Sequence, residues 1–109
     1  MKRGDIVIAV TPGDYGKPRP AAVVQSDIFN PTHASITLCP ITSHLVDAPL
    51  FRLSLQPTAE NGLEAPSQIM VDKITTVRKE KLRQTIGRLS SAEIDTLNRA
   101  LYLWLGLNR

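Results

Sequence analysis

Turn chemistry cuts the first ninety residues of this chain into short segments, and no other feature constrains the fold as much. Strands of about five or six residues fit between such breaks, whereas packed helices of ordinary length do not. "DIVIAV" (5–10) predicts a strand ended by "TPGDYGKP", where Pro12, Gly13, Gly16 and Pro18 impose a loop. "PAAVVQ" (20–25) is small and apolar throughout, the composition of a strand buried on both faces. "SDIFNPTH" reads as a turn or a single helical turn stopped at Asn30-Pro31. A third strand is predicted for "ASITLCPIT" (34–42), followed by a loop at "SHLVDAP". In "LFRLSLQP", Phe51, Leu53 and Leu55 alternate with Arg52, Ser54 and Gln56, which predicts a strand with one wet face. "TAENGLEAP" holds an Asn-Gly turn, "SQIMVDKITTV" (67–77) reads as one further strand, and "RQTIGRL" (83–89) as the last.

The ending differs in kind. "LSSAEIDTLNRALYLWLGL" (89–107) places Ser90 and Glu93 at capping-box spacing, Leu89 and Ile94 as a hydrophobic staple, and Ile94, Leu97, Leu101, Trp104 and Leu105 at helical spacing. Short strands followed by one long helix predict a mainly β protein: a small, strongly curved antiparallel sheet or half-barrel with a C-terminal α-helix packed on it. Apolar residues run nearly all round the helix, more than one face of a small barrel can bury, so a homodimer is expected, with Tyr102 and Trp104 in core or interface packing.

At 109 residues the chain is expected to form a single domain, 1–109. Its 42% apolar and 21% charged residues place it among ordinary globular proteins. No apolar stretch approaches the roughly 20 residues that cross a bilayer, and the N-terminus reaches Asp5 before a signal-like run begins, so a cytoplasmic protein is expected, without a membrane partner. The lone cysteine, Cys39, reads as a small buried hydrophobe, and two histidines and one cysteine give no metal-ligand spacing. The net charge of +3 is unevenly spread: Lys73 to Arg88 holds six bases against Glu80, a local excess of +5. Such an excess suits a polyanion or an acidic protein segment, and equally a solvated surface strip.

Most enzyme signatures are missing: there is no glycine-rich phosphate loop, nucleophile elbow, zinc spacing or close acidic pair. What remains are polar residues at strand mouths: Arg19 between Pro18 and Pro20, Thr42 with Ser43 and His44, and Ser67, Asp72 and Lys73 further on. In a small barrel these can converge on one groove. Arg19 is held between two prolines that restrict its backbone, and its planar fork matches two phosphate oxygens. A strand-end arginine whose prolines only block edge pairing is the alternative. Thr42 could serve as a turn residue, and Asp72 beside Lys73 as a surface ion pair.

The order of "RGDIVIAV", "GKPRPAAVVQSDIFN", "CPITSH", "PSQIMVDKITTV" and "IGRLS" resembles the MazF/PemK family of toxin endoribonucleases across essentially the whole chain. The resemblance implies a toxin of a type II toxin–antitoxin pair with an SH3-like barrel of the CcdB/MazF type and a C-terminal helix. It also implies a homodimer that cleaves single-stranded RNA without metal or other cofactor, as an mRNA interferase. The partner it implies is a small acidic MazE-like antitoxin, whose disordered tail would fold along the basic strip and exclude RNA.

Carried over by residue, the resemblance assigns cleavage to Arg19 of the "RP" motif and Thr42 of "PIT", and places the family's acidic residue at Asp72, read as the third catalytic residue and a candidate proton acceptor. It assigns RNA contacts to Ser26 and Asn30, and Asp14, Lys17, Ser43, His44, Ser67 and Lys73 are read as RNA-contacting residues beside them. Departures exist: Asp14 stands where other members have Glu, Lys73 where many have Gln, and Met70 where some have a second catalytic Arg. His33 reads as a solvated loop residue. A CcdB-type gyrase poison is the runner-up, but the Trp-Gly that such proteins carry near the C-terminus is split here into Trp104 and Gly106. A non-catalytic SH3-like binding module is the third reading.

Overall fold

The computed structural model describes residues 1–107. Seven strands precede one helix: β1 (Asp5–Ala9), β2 (Arg19–Val23), β3 (Ser35–Thr42), β4 (Arg52–Leu55), β5 (Ser67–Met70), β6 (Thr75–Arg78), β7 (Leu82–Arg88) and α1 (Ser91–Trp104). They form one antiparallel sheet in the order β4-β5-β3-β2-β1-β7, with β6 also pairing with β3. This is the mainly β architecture with a C-terminal helix that the punctuation predicts.

The central strands are buried on both faces, which accounts for the unbroken apolar run of β2. On one face Ile6, Ala22, Val24, Cys39 and Ile41 pack with Leu97, Ala100 and Leu101 of α1. On the other, Val7, Ala9, Ala21, Val23, Ile36 and Leu38 meet Val77 of β6 and Leu82 of β7. The sheet therefore carries a core on each face, α1, β4 and β5 contributing to one and Val77 of β6 with Leu82 of β7 to the other. Irregular register between β1 and β7, at Ile6/Val7 and again before Ala9, supplies curvature of the kind bulges give.

Two expectations are corrected. The segment 67–77 is not one strand: β5 and β6 are separated by a 3-10 turn at Val71–Lys73. On β3, Leu38 pairs with Thr75 and Ile41 with Ile69, so Cys39 and Pro40 stand opposite the five residues 70–74. Pro40 has no N–H to contribute to a ladder, and the surplus chain folds into the turn instead. The helix also stops earlier than its apolar pattern. Its capping box is in place, Glu93 N–H donating to Ser90 Oγ (3.1 Å) and Ser90 N–H to Glu93 Oε1 (2.8 Å). It ends at Trp104 because Gly106, at φ 70°, leaves the helical region. Leu89 and Ile94 join the same core cluster, as a staple requires.

The "TAENGLEAP" loop is held by its own side chains. Asn61, 1% exposed, accepts at Oδ1 from the N–H groups of Thr58 and Leu63 and donates to the Gln56 carbonyl. Gly62, at φ 68°, and Gly87 of β7 let this loop approach β7 so closely that a Cβ at either position would collide with backbone. The Glu60 carbonyl accepts from Arg88 N–H (2.9 Å), which fixes the loop as a wall beside the sheet.

Candidate functional site

Arg19 begins β2, where its backbone is fixed by pairing with Ala9 of β1. The β2/β3 pairing runs from Val23↔Leu38 to Ala21↔Pro40 and stops there; the same register continued for two residues brings Arg19 to the level of Thr42. The two motifs, distant in sequence, meet because antiparallel pairing aligns the start of one strand with the end of the next. On its other edge Thr42 pairs with Gln68 of β5. Its Oγ1 accepts from His44 N–H (3.0 Å), which orients the hydroxyl and leaves its proton to donate elsewhere.

Arg19 lines a hollow of about 420 Å³ together with Ser43, Ser67, Glu64 and Gln84. The clamped 58–65 loop and β7 form its far wall. Ser67 is itself nearly buried and its hydroxyl donates to the Ala65 carbonyl (2.8 Å). A second hollow, of about 350 Å³, is lined by Asp14, Pro40, Met70 and Lys73. The two adjoin at an ion pair in which Arg19 Nε lies 3.2 Å from Asp14 Oδ1. Asp14 Oδ2 accepts from Thr11 Oγ1 (3.0 Å), so the β1–β2 loop presents its carboxylate to the arginine. The Arg19 side chain remains 47% exposed, so an incoming anion can reach it.

The structure thus brings Arg19, Thr42, Ser43, Ser67, Asp14 and Lys73 to one end of the sheet. Lys17 and His44 are exposed in flanking loops and line neither hollow. Ser26 and Asn30 lie beyond the other end of β2. There the Ser26 hydroxyl accepts from Ile28 N–H, and Asn30, 4% exposed, donates to the Gln25 carbonyl and to Asp27. Arg3 N–H, and then Asn30, hold the Asp27 carboxyl below its ordinary value.

Asp72 lies in the 3-10 turn rather than on a strand, and lines neither hollow. Its carboxylate takes the Arg52 fork, Nε to Oδ1 at 3.0 Å and Nη2 to Oδ2 at 3.4 Å. Arg52 belongs to the strand face predicted to be wet, yet its side chain is 11% exposed, because this pairing folds it inward. Cys39 is fully buried and its thiol is pushed up to about 12 by burial, which leaves it no nucleophilic role at neutral pH. Among the described residues, no group of three or more His, Cys, Asp or Glu is placed to hold a metal ion, and no helix is long and apolar enough to cross a membrane.

Arg52, Glu64 and Gln84 were not singled out from the sequence. For Glu64 and Gln84 no local signal exists, since both reach the hollow only through the close approach of Gly62 and Gly87. Arg52 lacks one too, because its partner is twenty residues away.

The chain is 44% identical over 108 residues to the probable endoribonuclease MazF of Mycolicibacterium smegmatis, covering 98% of each protein. The Mycobacterium tuberculosis toxin MazF-mt6 superposes with a TM-score of 0.83 at 25% identity, over 96% of this chain and 99% of that one. A mycobacterial endoribonuclease solved in complex with its cognate antitoxin shares the fold, at a TM-score of 0.84 and 21% identity, over 100% of this chain and 98% of that one. The model of the PemK-like, MazF-like toxin family matches residues 2–105. Family model, relative and fold agree over nearly the whole length: the chain belongs to the PemK-like, MazF-like toxins of type II toxin–antitoxin systems.

Proposed function

We propose that this toxin is an endoribonuclease that cleaves single-stranded RNA by attack of the substrate's own 2′-hydroxyl on the adjacent phosphorus. The observation that carries the reading is Arg19, at the start of β2, lining a hollow of about 420 Å³ at the end of the sheet where Thr42 closes β3. Such a reaction needs charge stabilised on the phosphate oxygens, a proton taken from the 2′-oxygen and a proton supplied to the departing 5′-oxygen. Arg19 supplies the first, its fork meeting two phosphate oxygens while Thr42 donates from the facing strand. In the free protein Asp14 pairs with Arg19 Nε, so an incoming phosphate displaces it, and the released carboxylate takes the proton from the 2′-oxygen while the departing 5′-oxygen takes one from water. Ser43, Ser67 and Lys73 line the two adjoining hollows and contact the flanking nucleotides.

Asp72 serves a positioning role in this reading. Its pairing with Arg52 braces the 3-10 turn whose last residue is Lys73, and that turn presents Lys73 to the second hollow. Ser26 and Asn30 hold a turn, and Lys17 and His44 add charge and polarity at the entrance. The exposed Tyr102, Leu103, Trp104, Leu105 and Leu107 at the end of α1 support a homodimer formed through that helix. The basic strip from Lys73 to Arg88 supports inhibition by an acidic antitoxin tail in the cytoplasm, consistent with the antitoxin complex solved for a protein of the same fold.

The decisive experiment incubates purified protein with single-stranded RNA in the presence of a chelator. Products ending in a 2′,3′-cyclic phosphate and a 5′-hydroxyl are expected, with no cleavage where the 2′-hydroxyls are replaced by hydrogen. Equal cleavage of the deoxy substrate would overturn the mechanism, and DNA gyrase inhibition without RNA cleavage would favour the gyrase-poison reading.

A further inference from the structure

Tyr15 is the most exposed large side chain in the protein, at 104% of its reference area, and its φ of 53° is the one positive value at a non-glycine among the described residues. It sits between Gly13 (φ 89°) and Gly16 (φ 78°) on the loop whose Asp14 holds Arg19. A left-handed tyrosine is strained, and here no burial of the ring offsets that strain. Beneath the loop lies a further hollow of about 570 Å³, beside the Asp14 hollow. Tyr15, Thr76, Val77, Arg78 and Lys81 line it.

The hollow is anchored. Val10 N–H donates to the Lys81 carbonyl (3.1 Å), tying the end of β1 to the 3-10 turn Lys79–Lys81. The Thr76 hydroxyl bonds to Thr37 on β3 (2.9 Å), which steadies the floor. Of the three adjacent cations, Lys79 is committed to the Asn30 carbonyl (2.6 Å). Arg78 is held only by Glu80 at 3.3 Å, and both side chains are more than two-thirds exposed, a pair that a phosphate can displace. Lys81 is exposed on the rim. The hollow shares Thr11, Pro12 and Gly13 with the Asp14 hollow, so it continues the path that begins at Arg19.

We propose that this hollow is a distal nucleotide subsite for the same RNA strand, in which Tyr15 stacks on a base while Arg78 and Lys81 hold the phosphate beside it. An aromatic face next to exposed cations is the pairing that single-stranded nucleic acid recognises, since every base has a stacking face and every link a charge. The proposal rests on the endoribonuclease reading above. Its consequence is that strand length, and not only the sequence at the cut, sets the rate: nucleotides reaching past the Asp14 hollow gain contacts that shorter substrates lack.

The test uses full-length protein and single-stranded RNA pools in a short form and in forms extended on either side. Binding is read by fluorescence anisotropy on pools with 2′-deoxy sugars, and kcat/KM on the ribose forms. For the wild type, extension on one side should raise affinity and kcat/KM about tenfold, within the range that stacking one base confers. Tyr15→Ala should abolish that gain while leaving the short pool unchanged, and Tyr15→Phe should keep it, because stacking needs the ring and not the hydroxyl. Arg78→Ala and Lys81→Ala should each weaken binding of the extended pool and lower its salt dependence. An equal loss on short and extended pools in Tyr15→Ala, or no gain on extension in the wild type, would overturn the subsite. Absence of cleavage in the wild type with the length-dependent binding intact would overturn the endoribonuclease reading and leave the subsite standing.

Discussion

The two ends of β2 carry similar polar residues and treat them differently. At one end Arg19 keeps nearly half its side chain in solvent and its ion-pair partner sits on a loop, so its hydrogen-bonding capacity can be redirected to a ligand. At the other, Asn30 is 4% exposed: its amide donates to Gln25 and Asp27, its backbone carbonyl accepts from Lys79, and its Oδ1 is buried without a partner. A polar side chain becomes available for binding only when the fold leaves it open to solvent. That distinction separates the candidate site from the scaffold more sharply than residue type does.

The largest effect that would break this contrast lies at Arg19. Arg19→Ala should lower cleavage by roughly a hundredfold or more, about 3 kcal/mol of transition-state stabilisation, with the melting temperature nearly unchanged. Arg19→Lys should also fail substantially, since a lysine keeps the charge and loses the two-point fork. Full activity in the alanine variant would remove the arginine from the chemistry.

Asn30→Ala should do the reverse. Loss of its two donated bonds should cost about 2 kcal/mol of stability, with cleavage per folded molecule unchanged. Chemical denaturation beside an activity assay measures both, and a catalytic loss without destabilisation would return Asn30 to the RNA-contacting set.

Asp14→Asn sharpens the comparison further, because it removes the carboxylate that competes for the Arg19 fork while keeping its shape. RNA affinity should rise several-fold as the competing charge disappears, and the maximal rate should fall if Asp14 accepts the proton. Anisotropy and single-turnover rates separate the two effects, and an unchanged affinity would show that the ion pair does not gate the site.

The smallest effect concerns pH at the Asn30 end. The folded Asp27 carboxyl lies below its ordinary value because it accepts from Arg3 N–H and from Asn30, so its contribution is complete above that ordinary value. It declines as pH falls through the lowered folded value and the carboxylate is protonated. Melting temperatures followed into the acid range should drop more steeply for the wild type than for Asp27→Asn, and parallel curves would show that this carboxylate is not coupled to folding.

The punctuated strands and the capped helix were legible in the sequence because their causes are local: turn residues, alternation and a capping box act over a few positions. The double burial of β2 was legible for the same reason, since Ala21 to Val24 offers no polar residue to either face. Arg19 and Thr42 stood out in the order of motifs, but their meeting was decided by the β2/β3 register. The break in residues 67–77 was hidden because it is set by Pro40 on a different strand. Arg52 could not be assigned to Asp72, nor Glu64 and Gln84 to the Arg19 hollow, from spacing alone. These are contacts between segments far apart in the chain, made only when the curled sheet and the close approach of Gly62 and Gly87 bring their backbones together. Sequence determines which residues can bond, and tertiary packing decides which of them are left free to bind.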